Sequence, residues 1–157
     1  DLGLFPAESC LVAIEIKSKL TATTLKEALE NGRSIQKNLE LKSGIHDTRT
    51  GEAIKHTILP IYRLLFAFES DAKNLDSEFE RYKKYEPQTD TRSIDSFCVV
   101  DNGFVAYMST RDQKWEKQSP SKEYDEVITM LYGLINSLPM ISQTRGAPML
   151  GYYLQQE

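Results

Sequence analysis

Long apolar runs are absent from this 157-residue chain. Nothing approaches the ~20 consecutive apolar residues of a membrane-crossing helix and no secretory leader pattern is visible, so the expectation is a cytoplasmic protein with no membrane partner. Cysteine is nearly absent as well. The two present, Cys10 and Cys98, sit in apolar runs, which argues for reduced core thiols and against a disulfide framework or a thiolate metal site. Both histidines, His46 and His56, fall in a polar stretch over residues 41–56 at a spacing that fits no zinc pattern, and they read as solvated loop residues. Excess positive charge is missing too: 19 basic residues against 23 acidic ones leave a formal net charge of −4. That excludes a broadly basic nucleic-acid-coating surface and leaves only a local groove for such a partner. No repeat, low-complexity segment or domain boundary interrupts the chain, and its length suits one compact domain over 1–157.

What is present is organised around Leu11-Val12-Ala13-Ile14-Glu15-Ile16-Lys17-Ser18, an apolar run that abruptly carries an acid and a base. The branched apolar residues read as a buried strand over 11–17. Side chains alternate along a strand, so Glu15 and Lys17 share one face while Ile14 and Ile16 share the other. Unpaired charges inside a sheet cost several kcal/mol, so the two must pair, reach the sheet's end, or bind something. Two readings stand: charges closing an ordinary edge strand, or a site. The order of strand, Glu-x-Lys and helix is more specific than the tripeptide.

The helix that follows spans 24–39. Thr24 with Glu27 makes a capping box, Thr21 is an alternative start, and Leu25, Ala28, Leu29, Ile35 and Leu39 form the apolar stripe, with a weak point at Asn31-Gly32. Gln36 and Lys37 read as solvated positions. A second strand over 61–69 completes a βαβ unit, so the two strands are expected to be parallel neighbours. Its last residue, Glu69, is then at the carboxyl end of the sheet, where Lys17 is also expected and where ligands of α/β sheets bind. A helix over 71–84 stops at Pro87. Residues 94–108 read as a hairpin turning at Asp101-Asn102-Gly103, with Asp95 at the strand entry. Trp115, with Arg111, Lys114 and Lys117 around it, is either a packing lid on a loop or a stacking platform for a nucleic-acid strand. A last helix over 122–138 is expected to stop at Pro139, followed by a polar turn at 142–146 and an unassigned tail at 148–155.

These residues carry a resemblance. Phe5-Pro6-Ala7-Glu8-Ser9, then Ile14-Glu15-Ile16-Lys17-Ser18 and a helix, together with Ile94-Asp95, Asn102-Gly103 and Gly151-Tyr152-Tyr153-Leu154, resemble an uncharacterised bacterial family. That family is grouped with the restriction-endonuclease-like, or PD-(D/E)XK, nucleases. The likeness runs along most of the chain, but only the Glu-x-Lys region is functionally specific. It implies an α/β fold, a three-layer restriction-endonuclease-like sandwich with a mixed central β-sheet flanked by helices. It further implies a metal-dependent nuclease cutting phosphodiester bonds, with DNA as the partner and phage defence as the setting. By the match, Glu15 is the acid and metal ligand of the (D/E)-x-K element and Lys17 its lysine. The ion expected is Mg2+, with Mn2+ as a substitute. No Pro-Asp precedes Glu15. Asp1 and Glu8 are the only acids there, so Glu8 is the second metal-ligand candidate, and the chain reads as lacking the N-terminal element that supplies the superfamily's first aspartate. Lys19, Arg33 and Lys37 are the candidates for holding nucleic acid. The alternative is a degenerate nuclease-fold module that binds nucleic acid or a protein, and homo-oligomer or effector-complex partners are compatible with either.

Overall fold

The computed structural model describes residues 7–38, 49–52, 58–86, 92–101, 103–109, 114–118 and 125–145. His46, His56, Arg111 and the tail at 148–155 lie outside them. After a single 3-10 turn at Ala7–Ser9, strand β1 runs Val12–Leu20, helix α1 Ala22–Asn38, strand β2 Tyr62–Ser70 and helix α2 Leu75–Tyr85. Strands β3 (Ser96–Val99), β4 (Phe104–Met108) and β5 (Trp115–Gln118) follow, and helix α3 (Asp125–Gln143) ends the described chain.

The sheet has the order β1-β2-β3-β4-β5. The pairs β1–β2 and β2–β3 are parallel, and β3–β4 and β4–β5 antiparallel. This is the mixed sheet expected from the βαβ unit and the hairpin. Helices α1 and α2 cover one face. Leu65 and Ala67 of β2 and Phe97 and Val99 of β3 point into it, against Leu25, Ala28 and Leu29 of α1 and Phe79 and Tyr82 of α2. Full burial of each large side chain there contributes roughly 1.5–3 kcal/mol. Helix α3 lies across β3 and β4 on the opposite face. The result is the α/β sandwich of the restriction-endonuclease-like kind.

Local chemistry explains where the elements begin. Helix α1 starts at Ala22, so Thr21 and not Thr24 is its cap. The Thr21 amide donates to Thr24 Oγ1 at 2.8 Å and the Thr24 amide to Thr21 Oγ1 at 3.3 Å, a reciprocal box built from two threonines. Glu27 is thereby released from capping. Helix α2 starts four residues later than the 71–84 reading because Asn74 caps it, accepting from the Ser77 amide at 2.9 Å. The weak point at Gly32 is a close approach. A Cβ there would lie 2.1 Å from the Ser93 carbonyl oxygen, so only glycine lets α1 settle against the segment leading into β3.

Three expectations need correction. Strand β1 is not buried on both faces. It is an edge strand among the described residues, and α3 packs mainly over β3 and β4. Ile14, Ile16 and Phe68 therefore stand 50 %, 63 % and 55 % exposed on the α3 side. Helix α3 runs through Pro139 to Gln143. The proline removes one N–H, but its own side chain and that of Ile135, whose carbonyl loses that donor, are exposed, so water can satisfy the oxygen. Trp115 belongs to a fifth strand, β5, and not to a loop. Its ring meets Tyr82 at 5.0 Å and Phe79 and Phe97 at 5.7 Å each, which makes it part of the core and not a platform for bases.

Candidate active site between the first strand and the first helix

Alternation along β1 turns Glu15, Lys17 and Lys19 toward α1, the side away from Ile14 and Ile16. Strand β1 continues to Leu20, so Glu15 and Lys17 lie at mid-strand, short of the sheet edge at which they were expected. Lys19 pairs in register with Glu69 nearer that edge, and both are exposed.

The two charges meet each other and two residues of α1. Lys17 Nζ lies 3.0 Å from Glu15 Oε1 and donates to Glu27 Oε2 at 3.1 Å, while Asn31 Nδ2 donates to Glu15 Oε1 at 3.3 Å. The geometry follows from the two repeats. Two strand residues advance about 6.6 Å, and four helical residues about 6 Å. A helix running back along its strand can therefore set Glu27 opposite Lys17 and Asn31 opposite Glu15. Both contacts to Glu15 fall on Oε1. Among the described residues Oε2 has no partner, which leaves one carboxylate oxygen for a ligand.

The same contacts set the charge state of Lys17. Its hydrogen bond to Glu15 raises the ammonium's pKa, partial burial opposes this, and the bond to Glu27 raises it again, so the net direction is upward. Lys17 is a cation at neutral pH, suited to offsetting negative charge and not to accepting a proton.

The other predicted site residues fall elsewhere. Glu8 is buried in the turn before β1, near Arg145, whose guanidinium bonds the carbonyls of Glu8 and Cys10 and that of Leu59. Val12 to Glu15 alone spans about 10 Å of strand, which separates the turn carrying Glu8 from Glu15 along the chain. Among the described residues no cluster of three acidic, histidine or cysteine side chains is poised for a metal. Arg33 donates to the Tyr85 carbonyl at 3.1 Å and lies 3.9 Å from the buried Glu86 carboxylate, so it ties α1 to α2. At roughly 100° per residue, Lys37 points toward Arg33's side of the helix and away from that of Glu27 and Asn31. Of the three basic candidates only Lys19 shares the face of Glu15 and Lys17.

Asp95 is occupied too. Its Oδ2 accepts from the Arg63 amide at 2.8 Å and from Arg63 Nε at 3.2 Å, and its Oδ1 from Arg92 Nε at 2.9 Å. It joins the starts of β2 and β3 and is not a second site acid.

A separate cleft of about 600 Å³ opens on the other face, between the sheet and α3. Its polar lining includes Tyr62, Ser96, Tyr107, Tyr132, Asn136 and Ser137.

Glu27 and Asn31 are the site residues that reading the chain missed. Their signal was present: an i, i+4 pair of polar residues on the helix that directly follows the Glu-x-Lys strand.

No protein-family model and no curated protein matches the chain. Solved structures do. NucC from P. aeruginosa ATCC27853, in its cAAA-bound form, superposes with a TM-score of 0.72 at 23% identity, over 96% of this chain and 60% of that one. The apo form of NucC from E. coli MS115-1 gives 0.68 at 26% identity, over 95% and 64%, and its cAAA-bound form 0.67 at 25%, over 92% and 56%. The chain thus spans less than two thirds of each of these proteins. The matches support the resemblance to the restriction-endonuclease-like nucleases, of which NucC is a PD-(D/E)XK type.

Proposed function

We propose, from the restriction-endonuclease-like fold as premise, that this chain carries part of the active site of a divalent-metal-dependent nuclease acting on DNA in phage defence. The observation that carries the reading is the Glu15–Lys17 pair, 3.0 Å apart on the α1 side of β1, with one Glu15 oxygen free among the described residues. The donor set suits Mg2+ or Mn2+, hard cations that keep several waters and need one or two carboxylates besides a phosphate. Glu15 would hold the ion, which when bound acts as a Lewis acid on the phosphoryl group.

The chain's own residues do the rest. Asn31 and Lys17 fix Oε1 of Glu15 and so orient the carboxylate. Lys17, held as a cation, supplies positive charge where it builds up negatively on the phosphoryl oxygens in the transition state. Lys19, exposed on the same face, can meet a backbone phosphate. Glu8 is the expected second ligand from the sequence, and its position before β1 gives that role no support.

Two further components belong to the proposal. NucC is described with cAAA bound, and the cleft beneath α3, with its tyrosines and amide and hydroxyl groups, supports binding of a comparable ligand here. Ile128, Leu131, Tyr132 and Ile135 are exposed along α3, which favours assembly of several copies. No helix among the described residues is long and apolar enough to cross a membrane, and the cytoplasm is the proposed location.

The test is relaxation of supercoiled plasmid by the wild-type protein with Mg2+ or Mn2+, with and without cAAA, against a chelator control. Metal-dependent cutting supports the reading. Binding of DNA without cutting under every condition would leave the degenerate binding module as the better account.

A further inference from the structure

Lys17 is held from two sides, by the strand it belongs to and by a helix. Its ammonium lies between Glu15 Oε1 at 3.0 Å and Glu27 Oε2 at 3.1 Å. The two carboxylates differ in what else they must do. In the nuclease reading, on which this inference rests, Glu15 gives an oxygen to a cation. A cation there repels the ammonium and weakens the hold of Glu15 on it. A lysine left with no second anchor is a charge on a flexible four-carbon stem rich in rotamers, and it would leave the site just when it is needed.

Glu27 is placed to prevent this. It comes from α1, whose start is fixed by the Thr21–Thr24 box and whose buried face, Leu25, Ala28 and Leu29, brackets Glu27 in sequence. The helix backbone behind Glu27 is therefore firm although the side chain is 53% exposed. One turn on, Asn31 reaches Glu15. Helix α1 thus contacts both members of the pair, the acid through a neutral amide and the base through a carboxylate. A merely solvating helix face has no reason to match charge and register at both positions.

We infer that Glu27 is a positioning residue for Lys17, retaining the ammonium in the site when Glu15 engages the metal ion. It acts through Lys17, whose ammonium donates to its Oε2 at 3.1 Å.

A double-mutant cycle on the protein separates the possibilities. Mn2+ affinity by calorimetry, single-turnover plasmid cleavage and melting temperature are measured for wild type, Glu27→Ala, Glu27→Gln, Lys17→Ala and the Lys17→Ala/Glu27→Ala double variant. In Glu27→Ala the ammonium rests on Glu15 Oε1 alone, and its charge opposes an ion at Oε2 without the Glu27 carboxylate to offset it. Mn2+ affinity should drop about 3- to 10-fold and the cleavage rate about 10-fold or more, with the melting temperature within about 2 °C of wild type, as for an exposed pair. Glu27→Gln keeps an acceptor for the ammonium and should recover part of both losses. In the Lys17→Ala background, removing Glu27 should change Mn2+ affinity by less than about twofold and leave the cleavage rate unchanged. Equal loss of Mn2+ affinity in both backgrounds would make Glu27 a metal ligand, and no effect of Glu27→Ala would make it an ordinary surface partner. Either overturns the inference alone. A wild-type protein that neither binds Mn2+ nor cuts overturns the nuclease reading, and the inference with it.

Discussion

Asp95→Ala tests whether the second acid of the sheet is structural. Asp95 and Arg63 side chains are 7% and 6% exposed and meet through Nε–Oδ2 at 3.2 Å. The same carboxylate also takes the Arg63 amide and Arg92 Nε. Truncation leaves the Arg63 guanidinium buried with one described hydrogen bond, to Gln36 Oε1 at 3.3 Å, and leaves a backbone N–H without its acceptor. Removing one partner of a buried pair costs about 3–5 kcal/mol. That is a large part of the ~5–15 kcal/mol that holds a domain together, and at ~2–4 °C per kcal/mol for a chain of this size the melting temperature should fall by about 6–20 °C. Replacing both residues with apolar ones, Arg63→Met with Asp95→Leu, removes the orphaned charge. The double variant should be less destabilised than the single one, retaining mainly the ~1–3 kcal/mol cost of the unsatisfied amide. Urea and thermal denaturation of the three proteins provide the measurement. A loss below about 1 kcal/mol in Asp95→Ala, or a double variant no more stable than Asp95→Ala, would refute the reasoning.

Gly32→Ala should destabilise by about 1–3 kcal/mol, even though alanine is the better helix former, because its methyl meets the Ser93 carbonyl; thermal melts of the two proteins check it. Of the two thiols expected in the core only Cys98 is buried, whereas Cys10, just ahead of the edge strand β1, is exposed; burial pushes the Cys98 thiol up to about 12 from an ordinary 9.0. A thiol reagent at neutral pH should therefore label Cys10 in the folded protein and Cys98 only in denaturant. The folded thiol holds its proton longer than the unfolded one, so its contribution is intact below pH 9 and lost as pH rises from 9 toward 12. Denaturation at pH 8 and pH 10 should accordingly show a smaller alkaline loss for Cys98→Ala, by at most about 1.4 kcal/mol per pH unit.

Much of this architecture was legible because it is written in local pattern. The β1–α1–β2 unit follows from two apolar runs flanking an amphipathic segment, and the β3–β4 hairpin from Asp101-Asn102-Gly103 between apolar runs. The errors arose where tertiary context decides. Pro139 reads as a stop only if its lost hydrogen bond matters, and on an exposed helix face it does not. Strand β5 is four residues long with three exposed polar positions, so its pattern signal is carried by Trp115 alone. The candidate site shows the same division. Glu15 and Lys17 lie two residues apart in the sequence and could be read from it, whereas Glu27 was absorbed by a capping box that Thr24 completes. Arg33 reads as a free cation because its partners, the Tyr85 carbonyl and Glu86, lie on another helix.

The most direct test of the Glu15–Lys17 site is metal-dependent single-turnover cleavage of plasmid DNA by wild type, Glu15→Ala and Lys17→Ala, compared at equal folded fraction. In the proposed nuclease both residues would act mainly on the transition state, so each variant should lose about 100-fold or more in cleavage rate while retaining DNA binding within a few fold. Glu15→Ala alone should also lose Mn2+ affinity. The contradicting result is a full-length wild-type protein that cuts no DNA or RNA with any divalent ion, alongside two variants that differ from it only by melting earlier, as a structural Glu–Lys pair would require.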